Sequence, residues 1–250
     1  MKTWVKWFKM TPAERALRPV PPEITPSEFA EAFKLTNEKT SSSPSGLHYT
    51  LWKSISEKEY LCSYMCIMMS LPFMYGFSNT RWETAIDVML EKKLGVRSIH
   101  LMRIIGLLEA DFNTALKIYG RKLMANAEIA GISSSQWGGR PNCSAPDCAT
   151  RKLLTSEYAR YTFITIALFF GDLASCFDRM TTPISSMLAM KKGAPPSMCQ
   201  SRSFTVRNMR RCIRTAFGTT LAIYGKAEGD TPLTGEIQGK AERDASFGVN

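Results

Sequence analysis

The sequence predicts an α+β fold, and three observations carry that expectation. Two Thr-Pro-x-Glu strings near the N-terminus mark helix starts, the stretch from Phe112 repeats apolar residues at helical spacing, and residues 161–170 are β-branched and aromatic without a charge. With 250 residues, 44% of them hydrophobic, the chain is long enough to build a real core.

In the first ten residues, MKTWVKWFKM, Trp4, Trp7 and Phe8 form an i, i+3, i+4 stripe beside Lys2, Lys6 and Lys9. Packing against a core or partner explains the stripe, and a surface membrane anchor is the alternative. No apolar core with a small-residue cleavage site follows, so a secretory signal is not expected. Each Thr-Pro-x-Glu string, at Thr11 to Glu14 and at Thr25 to Glu28, supplies an N-cap hydroxyl, a proline at the first helical position and a glutamate to close a capping box. A Pro-rich link at 19–22 separates these helices, and TSSSPSG at 40–46 is a loop. Residues 61–77 are the longest greasy stretch, but Ser63, Ser70, Pro72 and Gly76 make it a buried helix with a turn after it, not a membrane span. Residues 1–78 thus form a helical N-terminal leader.

A helix runs through Phe112, Ala115, Leu116, Tyr119, Leu123, Met124 and Ala127 and stops at Gly131. After the turn-rich SSSQWGGRPNCSAPD, a helical pattern passes through Leu153, Leu154 and Tyr158. Residues 161–170 then read as a strand covered on both faces that leads into Gly171 and Asp172. Thr182 is placed to cap a helix from Pro183 to Gly193, with Lys191 and Lys192 against the negative end of its dipole. A further helix over about 203–217 aligns Val206, Met209, Ile213 and Phe217 on one side and Arg207, Arg210, Arg211 and Arg214 on another. No internal repeat is present.

The formal charge of +10 and pI near 9.3 favour polyanionic partners without distinguishing DNA, RNA or a membrane surface. Seven cysteines among apolar neighbours fit a reduced, intracellular protein of the nucleus or cytoplasm better than a disulfide framework. The pairs Cys62/Cys66 and Cys143/Cys148 lack a second ligand pair, and His48 and His100 are isolated, so structural cysteines are expected in place of a zinc site.

The sharpest local feature is FFGDLASCFDRM, in which the strand delivers Asp172 at its end, followed by Phe177 and Asp178. A carboxylate on a fixed strand end is placed to hold a hard metal ion, and an N-cap aspartate opening the next helix is the alternative reading of the same spacing.

The string from Asp172 to Asp178 resembles the first palm motif of reverse transcriptases. Further strings stand in that family's order: EKKLG with Lys92, RIIGLLEADFN with Arg103, QWGGRPNCSAPD with Gln136 and Arg140, and GEIQG with Gln238 and Gly239. SSSPSGLHY at 41–49 is similar to a leader upstream of retrotransposon polymerases of the non-long-terminal-repeat kind. The resemblance spans residues 82–239.

It implies an RNA-directed DNA polymerase domain: fingers over 79–160 and a partial palm over 161–250 of an incomplete right-hand fold. Two magnesium ions about 3.5–4 Å apart would serve nucleotidyl transfer, with Asp172 as catalytic and metal-binding carboxylate. Lys92 would meet the triphosphate as a point charge and Arg103 as a planar fork. Phe177 would close the floor under the sugar and select deoxynucleotides. Gln238 and Gly239 would lie near the incoming nucleotide. The implied partners are an RNA template, a DNA primer and deoxynucleoside triphosphates. The arginines at 207, 210, 211 and 214 would track a nucleic-acid backbone, although a solvated helix face accounts for the same residues.

The family's Tyr-x-Asp-Asp hairpin has no counterpart, since the sequence contains no Asp-Asp. The final KAERDASFGVN also departs from the pattern, with Lys240, Glu242, Arg243 and Asp244 where small residues are usual. The expectation is a domain truncated before its second carboxylate pair and inactive by itself. A non-catalytic nucleic-acid-binding remnant and a decayed reading frame are the alternatives.

Overall fold

The structure is a computed structural model that describes residues 9–37, 44–92, 95, 98, 102–131, 137–168, 171, 181–220 and 223–225. It is an α+β arrangement of helices around one mixed sheet. The N-terminal stripe of Trp4, Trp7 and Phe8 lies outside the described residues.

Both Thr-Pro-x-Glu strings do what their chemistry dictates. Thr11 opens α1 (Pro12–Ala16) and Thr25 opens α2 (Pro26–Lys34), each with a complete capping box and proline in the first turn. Helix α3 (Tyr49–Ser56) follows, then α4 (Glu59–Tyr75), which ends at Gly76 in the left-handed conformation. A 3₁₀ turn (Thr80–Glu83) leads into β1 (Thr84–Glu91), which pairs antiparallel with β2 (Met102–Leu107). Helix α5 (Ala110–Ile129) is the one predicted from Phe112, and Gly131 follows it with φ +65°. Beyond α6 (Ala145–Tyr161), α7 (Thr182–Lys191) and α8 (Pro196–Asn208) come β3 (Arg210–Thr215), β4 (Gly218–Thr219) and β5 (Tyr224–Gly225). Thr181 precedes α7, so the cap predicted at Thr182 is displaced by one residue.

The strands lie in the order β2-β1-β3-β4, with β5 also on β3. The β1/β3 pair is parallel. One hydrophobic cluster runs from Val20 to Met209 and draws on α2 to α5, α7 and α8, with no residue from α6. Its aromatic centre is Phe73, Trp82, Phe112 and Tyr119, with ring centroids 4.6–6.5 Å apart. Phe29, Phe33 and Trp52 continue it beneath α2 and α3. The leader is sewn to the far end of the chain at Gly193. There φ is +92°, Val20 donates its amide to the Gly193 carbonyl at 2.7 Å, and an added Cβ would stand 2.9 Å from the Arg18 carbonyl.

Two elements differ from expectation. Residues 164–168 are not a covered strand: α6 runs to Tyr161, Phe163 turns left-handed at φ +55°, and 164–168 continue without ladder partners. Phe163 is 95% exposed, where coverage on both faces was expected. A strand needs a neighbour to satisfy its backbone, and no described strand reaches this segment. The helix expected over 203–217 is instead the end of α8 followed by β3. Pairing of β3 along β1 from Thr84–Arg210 to Val88–Arg214 outweighs an apolar spacing that happened to be helical. Phe217, assigned by that spacing to the apolar side, is 91% exposed in the β3–β4 turn.

Candidate nucleic-acid interface

Replacing a helix by a strand changes which arginines act together. Strand side chains alternate between faces, so Arg210 and Arg214 share one face of β3 while Arg211 points to the other. Registers carry this assignment across the sheet. Arg210 lies opposite Thr84, Arg214 opposite Val88, and Leu90 opposite Arg103 of β2. Thr84, Val88 and Leu90 alternate on a single face of β1, so Arg103, Arg210 and Arg214 emerge on that same face.

All three are exposed, and Lys92 is exposed just beyond the end of β1. Along the strand direction the three arginine rows are separated by about 13 Å and about 7 Å at ~3.3 Å per residue. The result is a group of exposed cations gathered on one face of the sheet. Arg214 is steadied by its Nε donating to Thr219 Oγ1 at 3.1 Å. Arg207 sits apart, exposed in the last turn of α8, where a cation favours the helix dipole.

Arg211, expected on the same basic face, lies on the other side of the sheet. Its side chain is mostly buried on the opposite face, with Nη1 3.5 Å from Asp87 Oδ2, and the Tyr224 hydroxyl donates to that same carboxylate. Burial and the Asp87 charge push the Tyr224 hydroxyl well above the ordinary tyrosine range. Asp87 Oδ1 and Arg211 Nε have no hydrogen-bond partner. This trio pins β5 to the sheet.

A second acid–arginine cluster was not foreseen. Glu109, fully buried at the start of α5, accepts from Ser45 N at 2.9 Å, Ser45 Oγ at 2.8 Å and Arg81 Nη1 at 2.7 Å. Asp111 accepts from both terminal nitrogens of Arg81 and from Trp82 Nε1 at 2.9 Å. Asn113 Nδ2 donates to Tyr49 Oη at 3.1 Å. Two strings picked out in sequence, SSSPSGLHY and EADFN, are therefore bonded to each other. The available signal was two acids within apolar neighbours at a helix start, and their burial was not inferred from it.

Arg140 of QWGGRP forms a two-pronged pair with Glu128 at the end of α5, and that hydrogen bonding holds the Glu128 carboxyl below the usual range. Arg151 lies over the Trp137 ring at 5.8 Å. Cys62 and Cys66 are buried one turn apart in α4, and burial pushes the Cys66 thiol up to about 12. Among the described residues no group of three His, Cys, Asp or Glu is arranged for a metal ion. No described helix is long and apolar enough to cross a membrane.

Gln136, Asp172, Phe177, Gln238 and Gly239 lie outside the described residues, so the magnesium expectation stays with the sequence resemblance. No protein-family model matches the chain, and no curated protein matches it in sequence.

Proposed function

We propose that this chain is a reverse-transcriptase-like domain whose basic sheet face holds a primer–template nucleic acid, and that these 250 residues by themselves do not extend a primer. One observation supports it above all. The strand registers gather Arg103, Arg210 and Arg214, chosen from separate parts of the sequence, onto one exposed face with Lys92 at its end.

In this reading β1 and β2 are a fingers hairpin of a right-hand polymerase. Lys92 and Arg103, at the end where β1 leads on towards β2, meet the triphosphate of an incoming deoxynucleotide, and Arg210 and Arg214 follow the nucleic-acid backbone. Charge-assisted contacts of this kind fix position and carry no base sequence. Asp172 is the proposed metal-binding carboxylate, and magnesium, when bound, would activate the attacking oxygen and stabilise the departing pyrophosphate. A chain without an Asp-Asp pair offers too few carboxylates for two such ions, so binding without catalysis is expected. A non-catalytic binding protein, the second reading, shares the same face.

The test is fluorescence anisotropy on a labelled RNA-template/DNA-primer duplex. The combined variant Arg103→Glu, Arg210→Glu, Arg214→Glu is expected to bind about 10²–10³-fold more weakly, with primer extension in magnesium absent in every sample. Unchanged affinity would refute the interface, and primer extension would refute the inactivity. Preference for the RNA–DNA hybrid over duplex DNA supports the reverse-transcriptase reading, and equal affinity favours the second reading.

A further inference from the structure

Helix α4 is apolar on both sides. Its inner face, with Cys62, Cys66, Met69 and Phe73, is buried in the core. Its outer face carries Tyr60, Tyr64, Ile67, Met68, Leu71 and Tyr75, which fall within an arc of about 100° at the helical repeat of 3.6 residues. Leu71 is half-buried. The others are exposed, Tyr60 by 82%, Ile67 by 60% and Tyr75 by 70%. Helices that are hydrophobic all round belong inside a protein. An uninterrupted stripe of this size on a surface marks a contact that the described residues do not themselves make.

We propose that this stripe is the seam of a homodimer in which α4 packs antiparallel against α4 of a second copy. Three features select a second copy. First, the stripe is self-complementary in spacing. About a two-fold axis between residues 67 and 68, Tyr60 meets the partner's Tyr75, Tyr64 the partner's Leu71, and Ile67 the partner's Met68. A two-fold interface requires that reciprocity.

Second, α4 carries one charged residue, Glu59, in a chain of net charge +10. Two such chains repel wherever their basic surfaces meet, and α4 lets them approach without placing lysine or arginine against itself. Third, the stripe offers on the order of 700 Å² of side-chain surface per copy, close to the ~800 Å² per partner of a stable interface. Steps of four, three, four and four residues from Tyr60 to Tyr75 through Ile67 also suit a helix seam. Antiparallel packing sets the two helix dipoles in opposition, which is favourable.

The test is sedimentation velocity on the nuclease-treated full chain over a micromolar concentration series in high salt, where bridging by nucleic acid is suppressed. Wild type is expected at twice the 28.0 kDa chain mass. Ile67→Glu, which places like charges together at the axis, is expected to sediment as a monomer with an unchanged circular dichroism spectrum and melting temperature.

Register is tested at the two most exposed ends. Tyr60→Glu and Tyr75→Lys are each expected to weaken association about tenfold, and both together in one chain to restore most of it, because each introduced carboxylate then faces an introduced ammonium. A monomeric wild type at about 50 µM, or dimerisation unaffected by Ile67→Glu, would overturn the proposal. Failure of the double variant to recover would overturn the antiparallel register.

Discussion

Arg81 and Arg211 both reach buried carboxylates, and the two neighbourhoods differ in how completely they close. Around Arg81 every carboxylate oxygen of Glu109 and Asp111 accepts a hydrogen bond, and the donors come from the 45–47 loop and the 3₁₀ turn. Around Arg211 one oxygen of Asp87 carries both contacts while the other, and Arg211 Nε, have none. The helical side of the molecule spends its charges on holding segments together. The sheet holds its own charges loosely and turns three other arginines outward. The first region is expected to carry stability and the second the proposed binding, and substitutions can separate the two.

The largest expected effect is on the closed cluster. Arg81→Met strands Glu109 and Asp111 as buried charges and is expected to cost about 3–5 kcal/mol, read as a fall in the urea midpoint at constant slope. Reversal of Arg103, Arg210 and Arg214 together is expected to leave that midpoint within about 0.5 kcal/mol of wild type, as for exposed side chains. Its effect is on binding, about 3–4 kcal/mol by the hundred- to thousandfold loss expected above. A comparable loss of folding stability from this variant would break the division between regions.

Lys192 sharpens the same contrast through pH. Burial lowers its ammonium to about 8, while Glu128 opposes that shift. Between about pH 8 and the ordinary lysine value near 10.4 the unfolded chain holds a proton that the folded protein has released, so the Lys192 contribution to stability rises with pH there. Below pH 8 both forms are protonated and the folded state carries the full desolvation cost. Lys192→Met is therefore expected to be the more stable protein near neutrality by about 2–3 kcal/mol, with the advantage disappearing by pH 10.5. Paired denaturation curves across that range check it. A constant difference would contradict the assignment.

The smallest effect belongs to the loosely closed cluster. Tyr224→Phe removes the hydroxyl that donates to Asp87, and about 1.5 kcal/mol is expected from losing a hydrogen bond to a charged group. Thermal denaturation checks it, and a cost equal to that of Arg81→Met would erase the difference between the two clusters.

What was legible in the sequence was local. The capping boxes at Thr11 and Thr25 depend on atoms three residues apart, and α5 depends on a spacing that its own core face enforces. Residues 161–170 and 203–217 failed for a common reason. Their conformations depend on which strands lie beside them, and a strand's partner is not written in its own residues. Arg211 was assigned to a basic face by helical counting, and pairing with β1 turned it inward to Asp87. Arg103 and Lys92 were identified by resemblance to a family motif, but their alignment with Arg210 and Arg214 emerged from the register. The Glu109 and Asp111 cluster was hidden because acids at a helix start ordinarily face water, and only the approach of Arg81 and Ser45 makes their burial affordable.

In the proposed interface Arg210 and Arg214, on one sheet face, neutralise nucleic-acid phosphates, and Arg211, on the other, does not. The slope of log affinity against log salt for primer–template binding measures this most directly, at about 0.9 per neutralised phosphate. Replacing Arg210 and Arg214 by glutamine is predicted to flatten the slope by about 1.8, and Arg211→Gln to leave it unchanged. An unaltered slope in this double variant, or an equal per-residue loss from Arg211→Gln, would contradict the proposed interface.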